Sequence, residues 1–155
     1  MEQLGHIHSG QFPVFVHRIG SYDELRSVTP PSRHSVILLA GDAKGISTDI
    51  ISEAADHLLA AGLSYVCTWG PDCERVHDIF DQSYVGDGTT EPMSEFMSTW
   101  HSAESFEEAV EFFAVTAWPM DDTIEHLSYL AILVGFVRTE VMFTEAVRPY
   151  LIQTA

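Results

Sequence analysis

The chain has 155 residues, 46% hydrophobic and 19% charged, a composition that excludes an intrinsically disordered protein and favours one globular domain over residues 1–155. Its 7 Lys and Arg stand against 23 Asp and Glu, a formal net charge of -16, so the phosphates of nucleic acids and anionic membranes would be repelled. The surplus of acid suits a cationic protein partner or a small ligand, although it also serves solubility alone.

The chain carries no sign of membrane insertion or secretion. No apolar run approaches the roughly 20 residues that a membrane-spanning helix needs, and the first ten residues lack the pattern of a signal peptide. Two cysteines are too few for a disulfide framework. We therefore expect a cytoplasmic protein with free thiols and no membrane partner.

The first predicted element is a strand over Phe12–Ile19, rich in aromatic and β-branched residues. Ser21 and Glu24 have the spacing of a capping box, which predicts a short helix ending near Val28. The continuous apolar run "SVILLAGD" at 35–42 is typical of a central strand buried on both faces.

A helix is predicted next, over Asp49–Ala61, ended by Gly62 and burying a stripe formed by Ile50, Ala54, His57, Leu58 and Ala61. The third strand is "LSYVCTW" at 63–69, and the passage "GPDCERVHDIF" begins another helix with Pro71 near its first turn. The glycine-rich stretch "VGDGTTEP" at 85–92 is predicted to be a loop.

The fourth strand is "SEFMSTW" at 94–100, followed by a capping box at Ser105 and Glu108 and a helix over 106–118. A fifth strand, "HLSYLAILVG", is expected at 126–135, and a helical tail at 137–151. Strands separated by helices in this way predict a three-layer α/β domain, Rossmann-like or flavodoxin-like, with a mostly parallel sheet of about five strands. Its core should include Val36, Ile37, Leu38, Leu39, Val66, Leu130, Ile132 and Leu133.

Ligands of open α/β sheets bind beyond the carboxyl ends of the strands, and this chain places polar and aromatic residues after three of them. We expect one concavity there, lined by Asp42, Trp69, Cys73, His77, Trp100 and His101. The ligand-binding candidates are Trp69, Gly70, Trp100, Lys44 and Arg75. The passage "GDAKGIST" lacks the GxxxxGK[ST] pattern of a phosphate loop, although its backbone donors could hold an anion.

Catalysis is the second possibility at this edge. Cys73 falls in the first turn of a helix, where the helix dipole favours a thiolate, and His77 or His101 could activate it with help from Asp42. The acidic neighbours of Cys73 oppose thiolate formation, and a packed structural cysteine remains open. Cys67 and Cys73 do not have the spacing of zinc ligands, and neither a metal nor a cofactor is predicted.

Two motifs resemble those of an uncharacterised bacterial family of small standalone α/β proteins, labelled a domain of unknown function. Trp69-Gly70, the run Cys73–Asp78 and Thr99–His101 match its Trp-Gly-x-x-Cys-Glu-Arg-Val-His-Asp and Thr-Trp-His patterns, and the resemblance spans about Val36 to Pro119. It implies the fold and a bacterial origin, and implies no reaction.

Two functions follow from these residues. The first is a non-catalytic binding module that engages a protein or small ligand at the carboxyl edge of the sheet, with an inhibitor or immunity-type role as one form. The second is a small hydrolase or transferase that uses Cys73 with His77 or His101.

Overall fold

A computed structural model describes residues 1–86, 88, 95–119, 125–135 and 138–152, with the backbone alone at 138 and 139. Most of the loop predicted at 85–92 lies outside these ranges. Within them, no helix is long and apolar enough to cross a membrane.

Six strands within the described ranges form one sheet in the order β1-β2-β6-β3-β4-β5. Their bounds are Glu2–Ile7, Phe12–Ile19, His34–Ala40, Leu63–Trp69, Met97–Trp100 and Leu127–Val134 for β1 to β6. Of these six strands, only β1 is antiparallel to its neighbour, and the other pairs are parallel. The mostly parallel sheet is confirmed, and β3 and β4 are neighbours in it.

Helices cover both faces of the sheet. A 3₁₀-helix at Tyr22–Ser27, α1 at Thr48–Ala60 and α2 at Cys73–Val85 pack on one face. The opposite face carries α3 at Phe106–Glu111, which continues as a π-helix over Phe112–Thr116, and α4 at Arg138–Val147. A 3₁₀ turn at Arg148–Tyr150 follows α4. The predicted three-layer α/β architecture is confirmed.

The core consists of two apolar layers separated by the sheet. In β3, Val36, Leu38 and Ala40 face the α3 side, while Ile37 and Leu39 face α1 and α2. Each of the eight residues predicted for the core is at most 1% exposed. The continuous apolar run of β3 is therefore explained by its burial on both faces.

The structure adds one element that the sequence does not predict, strand β1. It pairs with β2 as an antiparallel hairpin, with a register shift between Gln3 and Gly5. Most of its residues are partly or fully exposed, so the strand lacks the buried apolar pattern that identifies its neighbours. The short helix predicted after β2 is present, but it is a 3₁₀-helix.

Candidate functional site

The loops that follow β3 and β4 are bonded to each other at the carboxyl edge of the sheet. The amide of Gly41 donates to the carbonyl of Trp69 at 3.1 Å, and that of Ala43 to Pro71 at 3.0 Å. Gly70 lies so close that a Cβ on it would sit 2.1 Å from the Gly41 carbonyl oxygen, at a φ of +112°. Gly70, a predicted ligand-binding residue, is therefore required by the close approach of the two loops.

Arg75 holds the same two loops together from α2. Its Nε donates to Asp72 Oδ2 at 2.6 Å, and its Nη2 donates to the carbonyls of Ala43 and Ile46 at 2.9 and 2.8 Å. A longer bond of 3.4 Å runs from Nη1 to Thr48 Oγ1. The guanidinium is thus committed to the scaffold, which leaves little donor capacity for a ligand.

Asp42 and Lys44 lie on the exposed part of the loop after β3. The Asp42 carboxylate accepts a hydrogen bond from the Lys44 amide at 2.9 Å, a local turn of the chain. Beneath this loop Tyr22 is buried, and burial raises the pKa of its hydroxyl, with the negative charge of Asp42 acting in the same direction. Asp42 is not a hydrogen-bond partner of His77 or of His101, whose rings contact Asp78, Asp81, Thr99 and Glu104.

Cys73 is the first residue of α2 and is 3% exposed. Burial raises the pKa of its thiol above the usual value, and hydrogen bonds from the His101 backbone and the Thr68 side chain offset this only in part. Burial therefore opposes the thiolate that the first turn of a helix would favour.

His77 lies one turn along α2 and contacts carboxylates. Its Nδ1 is 2.9 Å from Asp78 Oδ1, and its Nε2 is 3.4 Å from Asp81 Oδ2. The imidazole packs against the indole of Trp100 at a centroid separation of 4.6 Å. Both ring nitrogens therefore have partners other than the Cys73 thiol.

His101 is also bonded through both ring nitrogens. Its Nε2 is 2.9 Å from Thr99 Oγ1 and its Nδ1 is 2.9 Å from Glu104 Oε2, while its ring packs on Phe112. The Trp69 indole N–H donates to the Glu104 carbonyl at 3.0 Å. These contacts hold the start of the loop after β5 against the end of β4.

The series hydroxyl, imidazole and carboxylate at Thr99, His101 and Glu104 has the connectivity of a catalytic triad. However, the Thr99 side chain lies near the buried side chains of Tyr65 and Cys67, whose raised pKa values it partly offsets. It is therefore part of an interior polar network. Sequence reasoning missed Thr99 and Glu104, and the available signal was the His-x-x-Glu spacing in "HSAE".

An open pocket of about 320 Å³ occupies this edge, between the ends of β4 and β5, and is lined by Trp69, Gly70, Pro71, Asp72, His101, Ser102 and Glu104. It brings together three predicted residues, Trp69, Gly70 and His101. The predicted residues outside its lining are Asp42, Lys44, Cys73, Arg75, His77 and Trp100. An indole and two carboxylates give the pocket the chemistry of a cation site.

A larger open cavity, of about 610 Å³, lies at the amino ends of β2, β3 and β6. It is lined by Gln11, Phe12, Pro13, Pro31, Ser32, Arg33, His126 and Leu127. Its lining is separate from the predicted site residues.

Both cysteines are free thiols, and burial raises the pKa of Cys67 to about 12. The described ranges contain no group of three or more His, Cys, Asp or Glu able to hold a metal ion.

Comparison with known proteins identifies a family. The profile described as a domain of unknown function (DUF7684) matches residues 16–143, which include every predicted site residue. No curated protein matches the chain.

Proposed function

We propose that this chain, which belongs to the DUF7684 family of domains of unknown function, is a non-catalytic binding module. Its ligand occupies the pocket between Trp69 and Glu104 at the carboxyl edge of the sheet. The observation that carries the proposal is the state of the two histidines. His101 is hydrogen-bonded through both ring nitrogens, and His77 is bonded to Asp78 and lies 3.4 Å from Asp81, so neither is bonded to a thiol.

The cysteine–histidine enzyme is the less well supported alternative. A nucleophilic thiol needs a base within hydrogen-bond reach and a lowered pKa. Cys73 is buried, its pKa is raised, and its thiol is bonded to Thr68 and to backbone groups.

The chemistry of the pocket favours a ligand that carries a positive charge. The carboxylates of Asp72 and Glu104 are both 36% exposed and line the pocket together with Trp69, and each keeps acceptor sites beyond its bond to Arg75 or His101. An aromatic face beside carboxylates attracts ammonium and guanidinium groups. The net charge of -16 adds a field of the same sign over the whole surface.

The partner is then a cationic protein or a small cationic ligand, and an inhibitor or immunity-type role is one form of such a module. Two buried free thiols suit a reducing compartment, so we place the proposed function in the bacterial cytoplasm. An acidic surface also disfavours nucleic acid as the partner.

The test is a titration of the isotopically labelled chain with agmatine, a compact guanidinium amine, followed by NMR. We expect the resonances of the Trp69 indole N–H and the Gly70 amide to move progressively. The substitution Glu104→Gln retains an acceptor for His101 and removes the charge, and it should weaken binding about fivefold, the equivalent of roughly 1 kcal/mol.

The matched control is Glu107→Gln, an exposed carboxylate on α3 outside the pocket lining. It makes the same change in net charge and should leave the affinity within twofold of the unsubstituted chain. Glutarate, a dianion of similar length, should not bind. Equal effects of the two substitutions, or shifts that avoid Trp69 and Gly70, would contradict a cation site in this pocket.

A further inference from the structure

Strand β5 is an edge strand with unusual side chains. Edge strands offer unpaired backbone N–H and C=O groups, which proteins commonly protect with charged residues or proline. Met97–Trp100 contains neither, and its two outermost residues, Met97 and Trp100, are 43% and 45% exposed. Two large apolar side chains thus flank a strand whose outer edge is not paired with any described strand.

The other edge strand of the sheet, β1, is partly covered by the C-terminal segment. There the amide of His6 in β1 donates to the Ile152 carbonyl, and the Ile152 amide donates back to His6 at 2.7 Å. The C-terminal segment therefore covers part of the β1 edge. In the portion of the chain described above, β5 has a strand partner on one side only, which is β4.

Trp100 is held in place on the α2 side of β5. Its ring packs on His77, which is itself fixed by Asp78 and Asp81. The Ser98 hydroxyl also donates to Asp81, which ties the strand to α2. The contact with His77 restricts the exposed indole, which lowers the entropy cost of ordering it when a group binds.

The surface around Trp100 is negative. The side chains of Asp78 and Asp81 are 67% and 47% exposed. Between Cys73 and Ser105 the only Lys or Arg in the sequence is Arg75, whose guanidinium is committed to the loop after β3. The other acids of α2 and of the described residues just before β5 are Glu74 and Glu95.

We propose that the outer edge of β5 docks an extended basic segment of a partner protein. The segment pairs with Met97–Trp100 as a seventh strand, and one of its Lys or Arg side chains lies over the Trp100 indole beside Asp78 and Asp81. Backbone pairing supplies affinity in this mode, and alternate side chains supply specificity. Here the Trp100 indole and the two neighbouring carboxylates would select a basic side chain.

The experiment uses the full chain and three synthetic peptides of eight residues. The first alternates Lys and Val, the second alternates Glu and Val, and the third is the Lys peptide N-methylated at every second amide. We expect the Lys peptide alone to shift the amides of Met97–Trp100 and the Trp100 indole N–H in NMR spectra, and to slow hydrogen exchange at β5.

Substitutions then measure separately how much the indole and the carboxylates contribute to the affinity for the peptide. Trp100→Ala should weaken binding of the Lys peptide roughly tenfold, and Asp78→Asn combined with Asp81→Asn should weaken it by a similar factor. Asp23→Asn, on the exposed side of the 3₁₀-helix near α1, controls for net charge and should change the affinity less than twofold. Thermal melts verify that each variant is folded.

Three outcomes would overturn the inference. They are no binding of the Lys peptide at millimolar concentration, equal binding of the Glu or N-methylated peptide, and undiminished binding to folded Trp100→Ala. Glu104→Gln should change the peptide affinity no more than Asp23→Asn does, because Glu104 lines the pocket. The β5 edge and the pocket can therefore fail independently of each other.

Discussion

At the scale of single residues, most polar side chains at the carboxyl edge are bonded to other parts of the chain. Arg75 is bonded to the loop after β3, His77 to two aspartates, and His101 to Thr99 and Glu104. Hydrogen bonds within the chain thus satisfy the side chains that look most chemical in the sequence. The groups left for a ligand are aromatic faces and the remaining acceptor sites of carboxylates that already bind Arg75 or His101.

Gly70 provides the sharpest residue-scale prediction. Replacing it by Ala places a Cβ 2.1 Å from the Gly41 carbonyl oxygen at a φ of +112°, so the loops must separate. We expect the free energy of unfolding to fall by about 3 kcal/mol or more, combining backbone strain with the lost contact between the loops.

Gly45 is the matched control for that substitution. It has a φ of +77°, but a Cβ added to it would meet no atom of the described residues within 4 Å, so Gly45→Ala should cost only about 1 kcal/mol. Urea unfolding of both variants measures the difference. Equal losses would mean that the loop contact contributes no stability.

At the scale of elements, the central strands were predictable because burial on both faces leaves an unmistakable apolar run in β3, β4 and β6. Strand β1 was not, because its exposed residues carry no such run and its pairing depends on β2. The buried stripe of α1 was predicted slightly rotated. Ile51 and Ala55 are buried, whereas the predicted Ile50, His57 and Ala61 are only partly buried.

The candidate site follows the same division. The position of Trp69 and His101 at the carboxyl edge follows from the strand ends, so the sequence predicts it. The bonding of His101 to Thr99 and Glu104 does not follow, because it depends on where a side chain turns after β5 ends. The strand order, with β6 inserted between β2 and β3, likewise depends on tertiary packing.

At the scale of the whole molecule, charge is the dominant property. With a formal charge of -16, the folded state concentrates like charges that the unfolded chain spreads apart. Raising NaCl from about 0.01 to about 0.15 M shortens the Debye length from roughly 30 to 8 Å. We therefore expect the Tm to rise, by about 2–4 °C for each kcal/mol of repulsion removed.

Differential scanning calorimetry at constant pH measures this effect, and a second monovalent salt at equal ionic strength separates screening from specific ion binding. A Tm that stays constant or falls with salt would show that the acids are already balanced by their surroundings. The same screening should lower the affinity of the Lys peptide for β5, because that binding depends on opposite charges.

We propose that Cys73 belongs to the scaffold of a binding module and is not a nucleophile. The most direct test is the rate of iodoacetamide labelling at Cys73 as a function of pH, with Cys73→Ser as the blank and Cys67 as an inert buried thiol. Because burial raises the pKa of Cys73, we expect slow labelling near pH 7 and an apparent pKa above the free-thiol value of about 8.5. Rapid labelling at neutral pH, with an apparent pKa well below about 8.5, would contradict the claim and favour the enzyme.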